Sequence, residues 1–126
     1  MDTKLSFLPD IEEKEISSIV VKELKLYRAL KIQQVNKQEL NEKGITVDIF
    51  PKLNNQDREK EMKVLHMERA LNNLDGMERQ IIEKKYLDTE RQNDMTIYLD
   101  LCLQKTIYYE KKKQAICMIA HCLNII

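Results

Sequence analysis

The sequence predicts an all-α protein that consists of one long N-terminal helix and a C-terminal helical domain. Apolar residues repeat at helical spacing in several segments. Apolar residues make up 43% of the 126 residues and charged residues 33%, whereas there are only 2 glycines and 2 prolines. Because sheets need many turns, which glycine and proline favour, this composition favours helices over strands.

The first helix is predicted to begin at Asp10, which serves as its N-cap, and to end at Gly44. The apolar residues that share one face are Ile16, Val20, Leu24 and Tyr27. This apolar pattern does not continue through Lys31 and Gln34, so a long coiled coil is not expected. We interpret residues 1–43 as an arm that is used for assembly.

A connector and a second helix follow the arm. Residues 44–57 contain a glycine, a proline and an asparagine pair, which are typical of a connector. The next segment, "REKEMKVLHMERALNNL", is predicted to be helical because several residues fall at helical spacing. They are Met62, Leu65, Arg69, Ala70 and Leu74.

A third helix is predicted in "MERQIIEKKY". Asp75 and Glu78 stand three residues apart before an apolar run, which is the form of a capping box. The residues expected on one face of this helix are Met77, Ile81, Ile82 and Tyr86.

A helix-turn-helix is the motif that bears on function. A short helix around Ile97, Tyr98 and Leu101 is separated from the last helix, residues 105–124, by only the turn "CLQ". In a helix-turn-helix the N-terminal residues of the second helix enter the DNA major groove. We therefore assign residues 58–126 to a DNA-binding domain.

The last helix contains adjacent tyrosines, and their side chains must point in different directions. With Gln104 as N-cap, neighbouring residues lie about 100° apart, so Tyr108 is predicted to face the core and Tyr109 to be exposed. Base edges and phosphates are contacted by the kinds of side chain found on the exposed side. The candidate DNA-contacting residues are Lys105, Thr106, Tyr109 and Glu110, with Lys112 and Lys113 as phosphate contacts.

These residues carry a resemblance to a known family. The segments "MERALNNLDGMERQIIEKKYL" and "DMTIYLDLCLQKTIYYEKKKQAICMIAHCLNI" resemble the ArpU family of phage and prophage transcriptional regulators of Firmicutes. Members of that family end in a helix-turn-helix similar to region four of bacterial sigma factors. The segment "DIEEKEISSIVVKELKLYRALK" is similar to the leading helix of the family. The resemblance implies control of phage or prophage transcription, plausibly of late genes.

Three residues depart from the family pattern. Gln104 and Cys102 stand where members often have serine and glycine, and Glu110 stands where a basic residue is common. Glutamine is a poor N-cap and cysteine takes a positive φ only at a cost, so we expect a less regular turn. Glu110 either accepts a hydrogen bond from a cytosine amino group or repels phosphates.

Other classes of function are disfavoured. No glycine-rich phosphate loop, isolated carboxylate pair or Ser-His-Asp arrangement stands out, so we expect neither an enzyme nor a cofactor. Cys117 and His121 share a helix face, but buried thiols are far commoner than such a zinc site. With three cysteines, no signal peptide and no apolar run of eighteen residues, the chain is expected to be cytoplasmic with reduced thiols.

The expected partners follow from the motif and the apolar surfaces. Double-stranded DNA is the first partner, and we favour a homodimer because the arm and the apolar tail "AICMIAHCLNII" both need to be covered. The arm of the same chain is the alternative cover for the tail. Because the 21 basic and 21 acidic residues cancel, a helical adaptor that binds RNA polymerase or another regulator stays open as a second interpretation.

Overall fold

The structure, a computed structural model, describes residues 10–53 and 55–126. In these residues the chain forms five α-helices and one π-helical turn, without a strand. The helices are α1 (Asp10–Glu42), α2 (Asp57–Asn72), α3 (Gly76–Ile82), α4 (Asp94–Asp100) and α5 (Lys105–Cys122), and the π-helical turn Glu83–Leu87 directly follows α3. The predicted all-α fold with a long N-terminal helix is confirmed. None of the described helices is long and apolar enough to cross a membrane.

Helix α1 ends where the sequence predicts. Gly44 has a φ of 70° and its N–H donates to the carbonyl of Asn41, while the N–H of Ile45 donates to the carbonyl of Leu40 at 2.9 Å. This pair of hydrogen bonds is the Schellman motif, which needs a left-handed residue after the helix and therefore favours glycine. At the other end, the side chain of Asp10 and its predicted capping role lie outside the described residues.

The start of α3 has the predicted capping box. The N–H of Glu78 donates to the Asp75 carboxylate at 2.8 Å, and the N–H of Asp75 donates to the Glu78 carboxylate at 3.2 Å. Two backbone donors that have no partner within the helix are thereby satisfied. The π-helical turn that follows was not predicted, and it changes the direction of the side chains after Glu83.

Helix α2 buries a different set of residues from the one that the sequence predicted. Its buried residues are Val64, Met67, Ala70 and Leu71. Met62 and Leu65 are exposed, and so is Arg69. The face that is buried contains no charged side chain, whereas the face through Met62 and Leu65 includes Arg69, whose charge is costly to bury.

One main hydrophobic core joins the two ends of the chain. Its buried residues come from α1 (Ile16, Val20, Leu24), from α2 and α3 and the residues between them (Met67, Ala70, Leu71, Leu74, Ile82) and from α5 (Ala115, Ile116, Ile119, Ala120). The first half of α1 therefore packs with the C-terminal helices. This half of α1 covers the C-terminal tail, which the sequence analysis assigned to a subunit interface. A homodimer remains a prediction, and its interface would have to use another surface.

A second, smaller core holds α3, α4 and the start of α5 together. It is formed by Ile81, Ile97 and Tyr108, with Met77, Tyr98, Leu101 and Leu103 packed around them. The neighbours Ile81 and Ile82 point into different cores, so α3 connects the small core to the main one. This connection sets the position of the two helices of the helix-turn-helix motif relative to the rest of the fold.

The second half of α1 and the connector leave apolar side chains exposed. Lys37 near the end of α1 forms an ion pair with Asp57 at the start of α2, as expected for two antiparallel helices. The connector passes along this end, and its Phe50 and Leu53 are 77% and 98% exposed. Ile32 and Val35 on α1 are also exposed. Ile32 and Phe50 line one depression of the surface together with Ile49. Exposed apolar residues that lie together are a feature of interaction surfaces.

The packing of α1 can be tested with two substitutions on the same helix. Leu24→Ala removes a fully buried side chain from the main core, so we expect the free energy of unfolding to fall by about 2 to 5 kcal/mol. Ile19→Ala changes a side chain that is 45% exposed and should cost less than about 1 kcal/mol. Urea unfolding followed by circular dichroism measures both. Equal effects of the two substitutions would contradict the shared core.

Candidate nucleic-acid interface

The turn between α4 and α5 is regular. The N–H of Leu103 donates to the carbonyl of Tyr98 at 2.9 Å and the N–H of Cys102 to the carbonyl of Leu99 at 3.1 Å, while Cys102 has a φ of 57°. This is again the Schellman pattern. The expectation of a less regular turn was therefore wrong, because the two backbone hydrogen bonds offset the conformational cost of a left-handed cysteine.

Helix α5 begins at the predicted N-cap, Gln104, whereas the cap of α4, Asn93, was not predicted. The Asn93 side chain accepts a hydrogen bond from the N–H of Thr96 at 2.8 Å and so caps α4. Gln104 occupies the N-cap of α5 with extended backbone angles, but its side chain makes no capping hydrogen bond. The first backbone donors of α5 are thus left to solvent or to a ligand, since helix N-termini attract anions.

The two adjacent tyrosines of α5 have the predicted orientations. Tyr108 is 0% exposed and belongs to the small core, whereas Tyr109 is 40% exposed. The two rings meet edge to face, with 5.1 Å between their centroids. The register assigned to α5 from the sequence is confirmed.

A partly buried carboxylate organises the side of α5 next to α4. Asp94 accepts a 2.6 Å hydrogen bond from the Tyr108 hydroxyl and a 3.0 Å hydrogen bond from the Lys112 ammonium. The Lys85 ammonium lies 3.5 Å from the same oxygen, and the Tyr109 hydroxyl lies 3.5 Å from the other oxygen. We call these five residues the Asp94 cluster. It ties the π-helical turn, α4 and α5 together.

The cluster changes the pKa values of Asp94 and Tyr108. Burial alone would raise the pKa of Asp94, but the hydrogen bonds from Tyr108 and Lys112 and the charges of Lys112 and Lys85 outweigh it and lower that pKa. Burial and the hydrogen bond to Asp94 raise the pKa of Tyr108 far above its ordinary value. Asp94 is therefore ionised and Tyr108 protonated near neutral pH.

The Lys112 side chain interacts with other residues of the fold and is not free in solvent. Its side chain is 17% exposed, and its ammonium lies 5.7 Å from the centre of the Tyr108 ring and 5.3 Å from that of Tyr109. At such distances the cation is attracted to the aromatic faces. The lysine that the sequence assigned to phosphate contact is thus already paired with Asp94 and two rings.

Lys113 is also paired, in this case with the N-terminal helix. Its ammonium lies 2.8 Å from the Glu13 carboxylate of α1. A groove of about 260 Å³ runs between the two helices, and its lining includes Ile16, Ser17 and Tyr109. The start of α1 therefore lies beside the exposed side of α5.

The remaining candidate residues form an exposed face on the first two turns of α5. Lys105, Thr106, Tyr109 and Glu110 are all exposed. Within the described part of the chain, neither Lys105 nor Glu110 forms an ion pair. We call these four residues the exposed face of α5. It offers an ammonium, a hydroxyl, a phenol and a carboxylate, which are groups that bind base edges and phosphates.

Sequence reasoning did not find the partners of the two lysines. Asp94 stands 18 residues before Lys112 and Glu13 belongs to a different helix, so neither pairing has a local spacing that would reveal it. Asp94 could have been suspected, because it opens the helix that packs against the predicted core tyrosine.

The cysteines do not form a metal site in the part of the chain that the structure describes. Cys117 is buried in α5, while Cys102 and Cys122 are exposed free thiols. Across residues 10–53 and 55–126, no three His, Cys, Asp or Glu side chains are arranged to hold a metal ion.

Comparison of the chain with models of protein families, with curated proteins and with solved structures found no match. The resemblance to the ArpU family therefore stays a hypothesis that rests on the sequence segments quoted above.

The Asp94 cluster predicts a dependence of stability on pH. Asp94→Asn removes the charge that faces Lys112 and weakens the acceptor of Tyr108, so the free energy of unfolding should fall by about 1 to 3 kcal/mol at pH 7. The pKa of Asp94 is lowered from 3.8 on folding. Its contribution is therefore present above 3.8 and is lost as the pH falls through the folded pKa.

Denaturant titrations at a series of pH values from 7 downward measure this effect, because the carboxylate is protonated once the pH has fallen below its folded pKa. The difference between wild type and Asp94→Asn should be large at neutral pH and small in acid. Asp100→Asn on the same helix is the matched control, since Asp100 is exposed. A difference that is independent of pH would show that the charge of Asp94 is not what stabilises the motif.

Proposed function

We propose that the chain is a sequence-specific DNA-binding transcriptional regulator of phage or prophage genes, acting in the cytoplasm on late genes. The observation that carries the proposal is the exposed face of α5, which projects from a regular helix-turn-helix. In this motif the first turns of the second helix contact bases while the helix before it crosses the DNA backbone. The resemblance to ArpU regulators supports the same function and supplies the phage context.

The packing of α5 supports this proposal. Its C-terminal half is buried, with Ala115, Ile119 and Ala120 fully covered, whereas its first two turns are exposed except at Tyr108. A helix that is fixed through its buried residues but has an exposed face on its first two turns can enter a groove without unfolding any part of the core. A major groove about 12 Å wide accepts one α-helix.

The proposal is tested by finding the DNA that the protein selects. Purified protein is incubated with fragments of the genome that encodes it, and the bound fragments are sequenced. We expect enrichment of a short motif in an intergenic region. Uniform recovery of all fragments at physiological salt would contradict sequence-specific binding.

Tyr109 provides a test of the contact face. Tyr109→Ala should weaken binding to the selected DNA by about 1 to 3 kcal/mol. Stability should fall by only about 0.5 to 1.5 kcal/mol, through loss of the edge-to-face contact with Tyr108. Fluorescence anisotropy and thermal melting measure the two effects. Tyr109→Phe is the matched control, because it keeps the ring and removes only the hydroxyl. If Tyr109→Ala binds the selected DNA with unchanged affinity, Tyr109 is not a contact.

A helical adaptor that binds RNA polymerase or another regulator is the second candidate. The pairing of Lys112 with Asp94 and of Lys113 with Glu13 favours it, because both ammonium groups are already neutralised. The exposed apolar residues of the connector would then contact the partner protein. Binding to purified polymerase without any binding to DNA would support the adaptor.

We further propose that the regulator acts as a homodimer, since two copies double the number of bases that are read. The arm and tail cover each other within one chain, so the interface is assigned to the exposed apolar residues of the connector and the second half of α1. Sedimentation equilibrium at micromolar concentration should show a dimer for the wild type. The double variant Phe50→Ser, Leu53→Ser should be monomeric. Ile19→Ser is the control, and a monomeric wild type would exclude the dimer.

A further inference from the structure

Helix α1 carries its charges in an uneven distribution. From residue 16 to residue 38 it contains five basic side chains, Lys22, Lys25, Arg28, Lys31 and Lys37, but a single carboxylate, Glu23. Glu23 points toward α2, where it accepts a 3.0 Å hydrogen bond from Lys63. Lys31 and Lys37 also point toward α2, where they pair with Glu68 and Asp57. The basic side chains of this stretch that form no ion pair with a described residue are therefore Lys22, Lys25 and Arg28.

Three lysines and two serines share the outward side of the first half of α1. Lys14, Ser17, Ser18, Lys22 and Lys25 line one shallow depression on the surface together with Val21. Lys14, Lys22 and Lys25 are exposed, and none of them forms an ion pair with a described residue. We call these three lysines the basic stripe. At 1.5 Å per residue it is about 17 Å long.

The basic stripe is continuous with the exposed face of α5. Ser17 lines both the depression of the stripe and the groove that contains Tyr109 and Lys113. Glu13, one residue before the first lysine of the stripe, is held by Lys113 of α5. A rod-like ligand that contacts Tyr109 can therefore continue along α1 and reach the lysines of the stripe.

We infer that the basic stripe is a second DNA contact surface, which binds backbone phosphates beside the base pairs that α5 contacts; this inference rests on the proposed function. The phosphates of one strand advance by about 3.4 Å along the duplex axis per base pair, so a stripe that lies parallel to this axis spans about five base pairs. Ammonium and hydroxyl groups are typical phosphate contacts. The stripe thus supplies the positive charge that Lys112 and Lys113, both paired, do not.

An anionic membrane is the other polyanion that a basic helix can bind, and the packing of α1 disfavours it. A helix that lies on a membrane inserts an apolar face between the lipids. The apolar face of α1 is buried in the main core through Ile16, Val20 and Leu24, and Val21 is the apolar residue within the depression. Double-stranded DNA needs no apolar face, so its phosphates fit the stripe better.

The test compares three variants of the full chain by fluorescence anisotropy. The probe is a labelled DNA duplex of random sequence, about 30 base pairs long, titrated between about 50 and 200 mM salt. The stripe variant is Lys14→Gln, Lys22→Gln and Lys25→Gln. The charge-matched control is Arg58→Gln, Lys60→Gln and Lys84→Gln, which removes the same number of charges from α2 and the π-helical turn, at side chains that likewise form no ion pair with a described residue. A third variant replaces the stripe lysines by arginine.

We expect the stripe variant to reduce the slope of log affinity against log salt by about 2 to 3, because each lost phosphate contact contributes about 0.9. The control should change the slope by less than about 1, and the arginine variant should keep the wild-type slope. Thermal melting should be unchanged in the stripe variant, since its lysines are exposed. Equal losses in the stripe and control variants would overturn the inference, because net charge alone would then explain them.

The remaining outcomes separate the inference from the proposed function. If Tyr109→Ala weakens binding to the selected DNA while the stripe variant keeps both affinity and slope, the function stands and the stripe is excluded. If the wild type binds no duplex even at the lowest salt, both are overturned. Binding to vesicles of phosphatidylcholine and phosphatidylglycerol that depends on the stripe, without binding to DNA, would assign the stripe to a membrane instead.

Discussion

The hydrogen bond from the buried Tyr108 hydroxyl to Asp94 determines how α5 is held against the helices before it. A phenol in a hydrophobic core needs a partner for its hydroxyl, because an unpaired buried polar group costs more than the hydrogen bond contributes. Asp94 meets this need at 2.6 Å from the first turn of α4. Once Tyr108 is fixed in the small core, the helical rotation of about 100° per residue directs Tyr109 to the surface. The exposed face of α5 is therefore a consequence of what is buried one residue earlier.

Helix α1 contributes to the fold and to the surface through opposite sides. Its apolar side completes the main core with residues from both ends of the chain, so the C-terminal helices are not covered without it. Its outward side carries lysines that pair with no described residue. The separation follows from sequence spacing, since Ile16, Val20 and Leu24 recur every four residues and so share one face, while the lysines at positions 14, 22 and 25 do not belong to that series. An arm that was expected to serve only assembly is thus part of the folded unit that presents α5.

Local features of the sequence predicted most of the fold. Gly44 ends α1 and the Asp75 and Glu78 pair begins α3, because both devices act within a few residues. The orientation of Tyr108 and Tyr109 followed from helix geometry once the start of α5 was known. Spacing alone did not decide which of two apolar faces α2 buries, since that depends on where α1 packs. The partners of Lys112 and Lys113 depend on tertiary packing in the same way. The sequence therefore predicted that Tyr109 is exposed, but it did not predict that the two lysines assigned to phosphate contact are paired with carboxylates.

The division of α5 into a buried half and an exposed half has a consequence for how such a protein can evolve. Substitutions at Thr106 or Glu110 change side chains that no core depends on, so under the proposed function selection can alter DNA preference there with little loss of stability. Substitutions from Ala115 to Ala120 change the packing of the main core and are constrained by folding. The proposed recognition surface and the main core are thereby encoded in separate turns of one helix. Under the proposed function, a lineage that must follow drifting operator sequences can do so through a few surface positions while the architecture stays the same.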